Sequence, residues 1–82
     1  MMATHNLKCW PEYFSLINAG VKNFDLRKND RGFRLGDDIK FEEFRPGVNE
    51  YTGRHCKRRV SYILSGFAGL EPGYCILELG RA

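Results

Sequence analysis

Six charged side chains crowd one short stretch of this chain. Lys22, Asp25, Arg27, Lys28, Asp30 and Arg31 fall between Gly20 and Gly32, with Phe24 and Leu26 the two large apolar side chains among them. Cations at this density suit phosphate: arginine as a planar two-pronged donor, lysine as a compact point charge. A carboxylate among them can hydrogen-bond a base or orient the lysine. Neighbouring cations loosen the proton on a lysine and a neighbouring carboxylate tightens it, so Lys22 is also a candidate base. Aromatic side chains that could stack on a base are Trp10, Tyr13 and Tyr74, with Trp10, beside Pro11, the best placed. A second basic run, Arg54, Lys57, Arg58 and Arg59, carries no acid. If folding joins the two runs they form one cationic surface suited to a nucleic-acid backbone. On a strand, however, Arg58 points opposite to Lys57 and Arg59, so only part of the run can serve one surface.

The elements that must position these groups are short. His5 to Cys9 reads as a strand with Leu7 and Cys9 inward. Pro11 opens a helix of about ten residues, with Tyr13, Phe14 and Ile17 as its apolar stripe and Gly20 as its stop. Phe24 to Lys28 is a second strand. Its period of two predicts Phe24 and Leu26 inward, with Asp25 and Arg27 emerging together on the opposite, outer face. A turn over residues 29–32 leads to a third strand from Asp38 to Phe44, and residues 46–53 read as a hairpin loop. Arg54 to Leu64 is a long fourth strand, with Val60, Tyr62 and Leu64 on one face and Arg59, Ser61 and Ile63 on the other. A glycine-rich loop, Ser65 to Gly73, precedes a last strand, Tyr74 to Leu79. That strand is apolar on both faces and so is expected to be central in its sheet. The order β-α-β-β-β-β in 82 residues predicts a single domain, 1–82, of the α+β class and mainly β. Its expected form is a small, partly closed barrel of about five strands with one N-terminal helix packed against it.

Composition narrows the class. With 82 residues the chain holds one small core. No run approaches the roughly 20 apolar residues of a membrane helix, and no signal peptide is visible at the start. Three widely spaced cysteines do not make a disulfide framework and point to a reducing, cytoplasmic setting. No cofactor motif occurs and no metal site is expected: His5 and Cys9 lie about 13 Å apart on a strand, and His55 and Cys56 face opposite sides. Nucleophilic catalysis lacks a serine or cysteine with a histidine partner.

The segment Gly20-Val-Lys22-Asn-Phe-Asp25-Leu-Arg27 resembles the signature Gly-x-Lys-x-x-Glu-x-Arg of the ASCH (activating signal cointegrator homology) domain, with Asp25 in place of glutamate. Gly36-Asp37 before a strand, the start His5 to Phe14 and the end Tyr74 to Leu79 are similar to that family as well, nearest a compact bacterial and phage branch. The resemblance implies a PUA-like barrel, a cleft between helix and barrel beside the signature, and an RNA or nucleotide-like ligand. Some ASCH proteins are amidohydrolases acting on acylated cytidine. Those enzymes use a lysine at the position of Lys22, a threonine at that of Asp25 and a glutamate in a later helix. Here the Ser65–Gly73 loop stands in place of that helix, with Glu71 as its acid.

The expected function is therefore a small RNA- or nucleotide-binding domain. Its ligand contacts would be Lys22, Asp25, Arg27, Lys28, Arg31, Trp10 and Arg59. One alternative is an amidohydrolase with Lys22, Asp25 and Glu71 as its catalytic groups; another is a coregulator-like module that binds a protein partner.

Overall fold

The computed structural model describes residues 2–82. Its elements run β1 (Thr4–Cys9), α1 (Pro11–Asn18), β2 (Phe24–Lys28), β3 (Asp38–Arg45), β4 (Glu50–Ser65) and β5 (Tyr74–Arg81). They form one five-stranded sheet in the order β1-β3-β4-β5-β2. Only β1 and β3 are parallel; the other three pairings are antiparallel. The sheet curls into a half-barrel whose two edges, β1 and β2, are not paired to each other. The strand β5 lies inside the sheet, between β4 and β2, as its two-sided apolar pattern predicts.

The helix is set by its ends. Pro11 occupies the first helical turn, where its missing N–H costs nothing. At the other end Gly20, at φ +75°, takes the left-handed conformation. Its N–H donates to the Ile17 carbonyl and that of Val21 to Leu16, the paired bonds that close a helix on glycine. The helix spans eight residues rather than about ten. Its buried stripe is narrower than expected: Phe14 and Ile17 enter the core, while Tyr13 stays exposed. Each buried side chain of this kind contributes about 1.5–3 kcal/mol. The pair seats the helix against Leu7, Ile39, Phe41 and Leu77 in one continuous core.

The long strand β4 serves two partners, pairing with β3 up to Arg59 and with β5 from Arg58 onward. Two irregularities let it bend. The first lies opposite Glu43, where the register slips between Glu42 and Phe44 and Gly53, at φ +91°, sits in the bulged segment. The hairpin loop is consequently short, with β4 already formed at Glu50 instead of Arg54. The second lies between Val60 and Tyr62. The extra residue breaks the expected alternation: Val60 is buried, Tyr62 is exposed, and Ile63 packs against the core in its stead.

The strand β2 reverses the sequence expectation. Phe24 and Leu26 face outward and are exposed, whereas Asp25 is buried and Arg27 half-buried on the inner side. Asp25 and Arg27 do share a face, but it is the inner one. As an edge strand, β2 has behind its inner face the gap toward β1 instead of packed core. Polar side chains can occupy that gap when they neutralise one another.

Candidate functional site

A cleft of about 480 Å³ opens in the gap between the two sheet edges. Cys9 and Trp10, at the end of β1, form one wall; Phe24 to Arg27 of β2 form the other; Tyr13 and Lys22 border it. Lys8 also borders it, although its ammonium lies over the Phe44 ring, 4.4 Å from the centroid.

Asp25 organises the cleft. It is 7% exposed and accepts hydrogen bonds from Arg27 Nε at 2.5 Å and Lys22 Nζ at 3.3 Å. Arg27 lies two residues along the same strand face, and Lys22 approaches from the turn that leaves the helix. Lys22 Nζ also donates to the Phe24 carbonyl at 3.0 Å and lies over the Phe24 and Tyr13 rings, 5.0 and 5.6 Å from their centroids. An ammonium in contact with two ring faces and a carboxylate has few orientations left. Two cations against one carboxylate leave this cluster one net positive charge. The Cys9 thiol is pushed up to about 11, by burial first and then by Asp25, against the opposing pull of Lys22 and Arg27. It stays protonated at neutral pH and is no nucleophile there. Burial likewise raises Cys56 and Cys75.

The fold brings together five of the residues singled out in the sequence: Trp10, Tyr13, Lys22, Asp25 and Arg27. It distributes the others. Lys28 points outward from β2. Arg31 donates to the Asn6 carbonyl of β1 at 3.1 Å, at the far side of the gap. Arg59 Nε donates to Asp38 on β3 at 3.0 Å. Glu71 lines a separate depression with Leu26, Gly69, Leu70 and Tyr74, apart from Lys22 and Asp25. No residue of the second basic run lines the cleft. Arg58 in that run is structural: it donates to the carbonyls of Ile17, Leu79 and Gly80 and to Asn23 Oδ1. It thereby ties the helix C-terminus to β5.

Sequence reasoning missed Cys9 and Phe24 as cleft residues. The alternation that sent them into the core left no signal that β1 and β2 would be edges facing one another. Among the described residues, no group of three or more His, Cys, Asp or Glu gathers as metal ligands would, and no helix is long and apolar enough to cross a membrane.

Fold and site together define a small α+β half-barrel with a charged, aromatic-walled cleft between its open edges. The chain belongs to the family described as Domain of unknown function (DUF3850), whose model matches residues 4–79. It is similar to an uncharacterized 12.9 kDa protein in the GpA 3′ region of Escherichia phage P2, with 34% identity over 63 residues. That match covers 77% of this chain and 56% of the phage protein, so the chain spans little more than half of its relative's length.

Proposed function

We propose that the cleft binds an RNA strand or a nucleotide, and that the domain is of the ASCH, PUA-like kind. One observation carries this reading. Asp25 is buried in an open cleft, with Lys22 and Arg27 drawn onto it and the exposed ring of Trp10 beside them. Such a cluster offers a phosphate two fixed cations, a base N–H one carboxylate, and a base plane one aromatic surface. The three charged groups stand in the order of the ASCH signature and touch one another, which supports that kinship.

Trp10 is the chain's single tryptophan, so its fluorescence reports on the cleft directly. Titration with nucleoside monophosphates and short single-stranded RNA should quench it. Binding should weaken with salt at a log–log slope of roughly −0.7 per phosphate neutralised. Salt-insensitive binding, or full binding by the Lys22→Ala/Arg27→Ala variant, would overturn the reading.

The Lys22–Asp25 contact also gives a footing to the amidohydrolase reading, in which Lys22 activates the amide and Asp25 positions it. The site of Glu71 in a separate depression weighs against a three-residue catalytic set. Release of acid from N4-acylated cytidines by concentrated protein would support hydrolysis, and no turnover would remove that substrate class.

A further inference from the structure

The outer face of the sheet opposite the core is apolar where β2, β5 and β4 run side by side. The registers align two cross-strand rows on it. Leu26 of β2 meets Ile76 of β5, which meets Leu64 of β4; Phe24 meets Glu78, which meets Tyr62. Tyr74 begins a third row opposite Lys28. The helix packs on the other side, against the core. Phe24, Leu26 and Tyr62 are each between 53 and 56% exposed. Among the described residues twelve apolar side chains are buried, yet some of the largest stay outside.

At about 200 Å² for a large side chain, the exposed parts of this patch amount to roughly 500 Å² of apolar surface. That lies toward the upper end of what a monomer shows. A standard stable interface needs about 800 Å² per partner, with an apolar core inside a polar rim. The patch has the right size for that core.

Its charges indicate what covers it. Glu78 and Lys28 are the charged side chains of the three rows, and among the described residues neither has an ion-pair partner; Glu78 accepts only the Ser61 hydroxyl, at 2.7 Å. With Glu71 at the border of the patch beside Leu26 and Tyr74, the one acid and one base within the rows are self-complementary. A two-fold axis lying in the interface, midway between them, sets each Glu78 against the partner's Lys28 and each apolar row against another.

We propose that this face is the interface of a homodimer, closed by a second copy of this chain. The strand β2 borders both sites: Asp25 and Arg27 face the cleft, while Phe24 and Leu26 carry the interface and also border the cleft, with Lys22 Nζ over the Phe24 ring. The two clefts of the dimer then flank the contact.

The test is the mass of the full chain by sedimentation and light scattering, from micromolar to millimolar concentration. The wild-type protein should be a dimer that dissociates on dilution. Leu26→Glu and, separately, Tyr62→Glu should be monomers with native circular dichroism; both side chains are exposed, so the fold should tolerate either change. Glu78→Lys and Lys28→Glu should each raise the dissociation constant about tenfold, and the double exchange should restore it. Arg27→Ala, on the inner face of β2, should leave the dimer intact whatever it does to nucleotide binding, which separates failure of this interface from failure of the cleft reading. A wild-type monomer throughout would overturn the proposal. So would a dimer that persists in both glutamate variants, or a double exchange that restores nothing, including the case in which the face takes a different protein.

Discussion

Replacing Asp25 by asparagine removes one charge and almost no volume, and the consequences pull in opposite directions. Simple electrostatics predicts tighter binding of a phosphate ligand, since the cleft cluster goes from one net positive charge to two. Positioning predicts the reverse. Lys22 and Arg27 are held by the carboxylate at 3.3 and 2.5 Å, and without it both long side chains regain their freedom. Fixing such a side chain again on binding costs about 0.5–1.5 kcal/mol each, so about 1–3 kcal/mol for the pair. The gain from the added net charge, at a partly solvated site, is on the order of 0.2–1 kcal/mol. The loss wins, and affinity for a short RNA should fall about tenfold in a Trp10 fluorescence titration. Stability falls too, because the buried amide leaves two cations without their counter-charge. About 2–3 kcal/mol is reasonable for a pair this enclosed, less than for a fully buried one. In a domain this small that lowers Tm by roughly 10–20 °C. An Asp25→Asn protein that binds RNA more tightly at unchanged Tm would refute the reasoning and make Asp25 a passive counter-ion.

Two further perturbations test the frame around the cleft. Asp37 is 2% exposed and accepts hydrogen bonds from the Ala3 and Arg34 N–H groups, each at 3.0 Å, with His5 Nε2 at 2.9 Å. Burial alone would raise its pKa, but these hydrogen bonds outweigh burial and hold the carboxyl below its ordinary 3.8. Its contribution to stability is therefore complete above pH 3.8 and is lost as pH falls through the lower folded value. Asp37→Asn should cost about 1–3 kcal/mol at neutral pH and flatten that acid limb in urea titrations followed by circular dichroism. Arg58→Met keeps the aliphatic stem but strips donors from three carbonyls on two elements, and should cost about 3–5 kcal/mol by thermal unfolding. Arg58→Lys should recover little of this, since one ammonium cannot reproduce the fork.

The backbone was largely readable in the sequence because its punctuation is strong. Pro11 and Gly20 bracket the helix, and the bounds of β2 match the expected Phe24 to Lys28. Inward alternation on β1 and β5 holds residue by residue: Leu7, Cys9, Cys75, Leu77 and Leu79 are all buried. What failed were the readings that depend on where a strand lies in the sheet. Alternation says that Phe24 and Leu26 share a face, but not whether that face meets a core. The answer depends on β2 being an edge, which follows from long-range pairing. The bulge between Val60 and Tyr62 is likewise invisible to a period of two, because one inserted residue reverses every side chain after it. Arg58 reads as part of a basic run, yet its role is fixed by carbonyls 21 and 41 residues away.

The cleft exists because this barrel does not close, and an unclosed barrel has a cost that the sequence meets with the same charged groups. Two edge strands present backbone groups that a neighbouring strand would otherwise pair, and unprotected edges invite association with other chains. Here side chains substitute for the missing ladder. Lys22 caps the Phe24 carbonyl on β2, and Arg31 caps the Asn6 carbonyl on β1. Phe33, carried by the same connection as Arg31, is buried and meets the His5 ring of β1 edge-on at 4.8 Å, so the far part of the gap is packed while the part beside Lys22 stays open. Pairing β1 directly with β2 would satisfy more backbone and remove the need for Asp25, but it would also erase the cleft. A buried carboxylate with two cations on it is therefore a local departure from ordinary core packing, of the kind the proposed ligand reading calls for. It gives the gap a physical reason to stay unpaired.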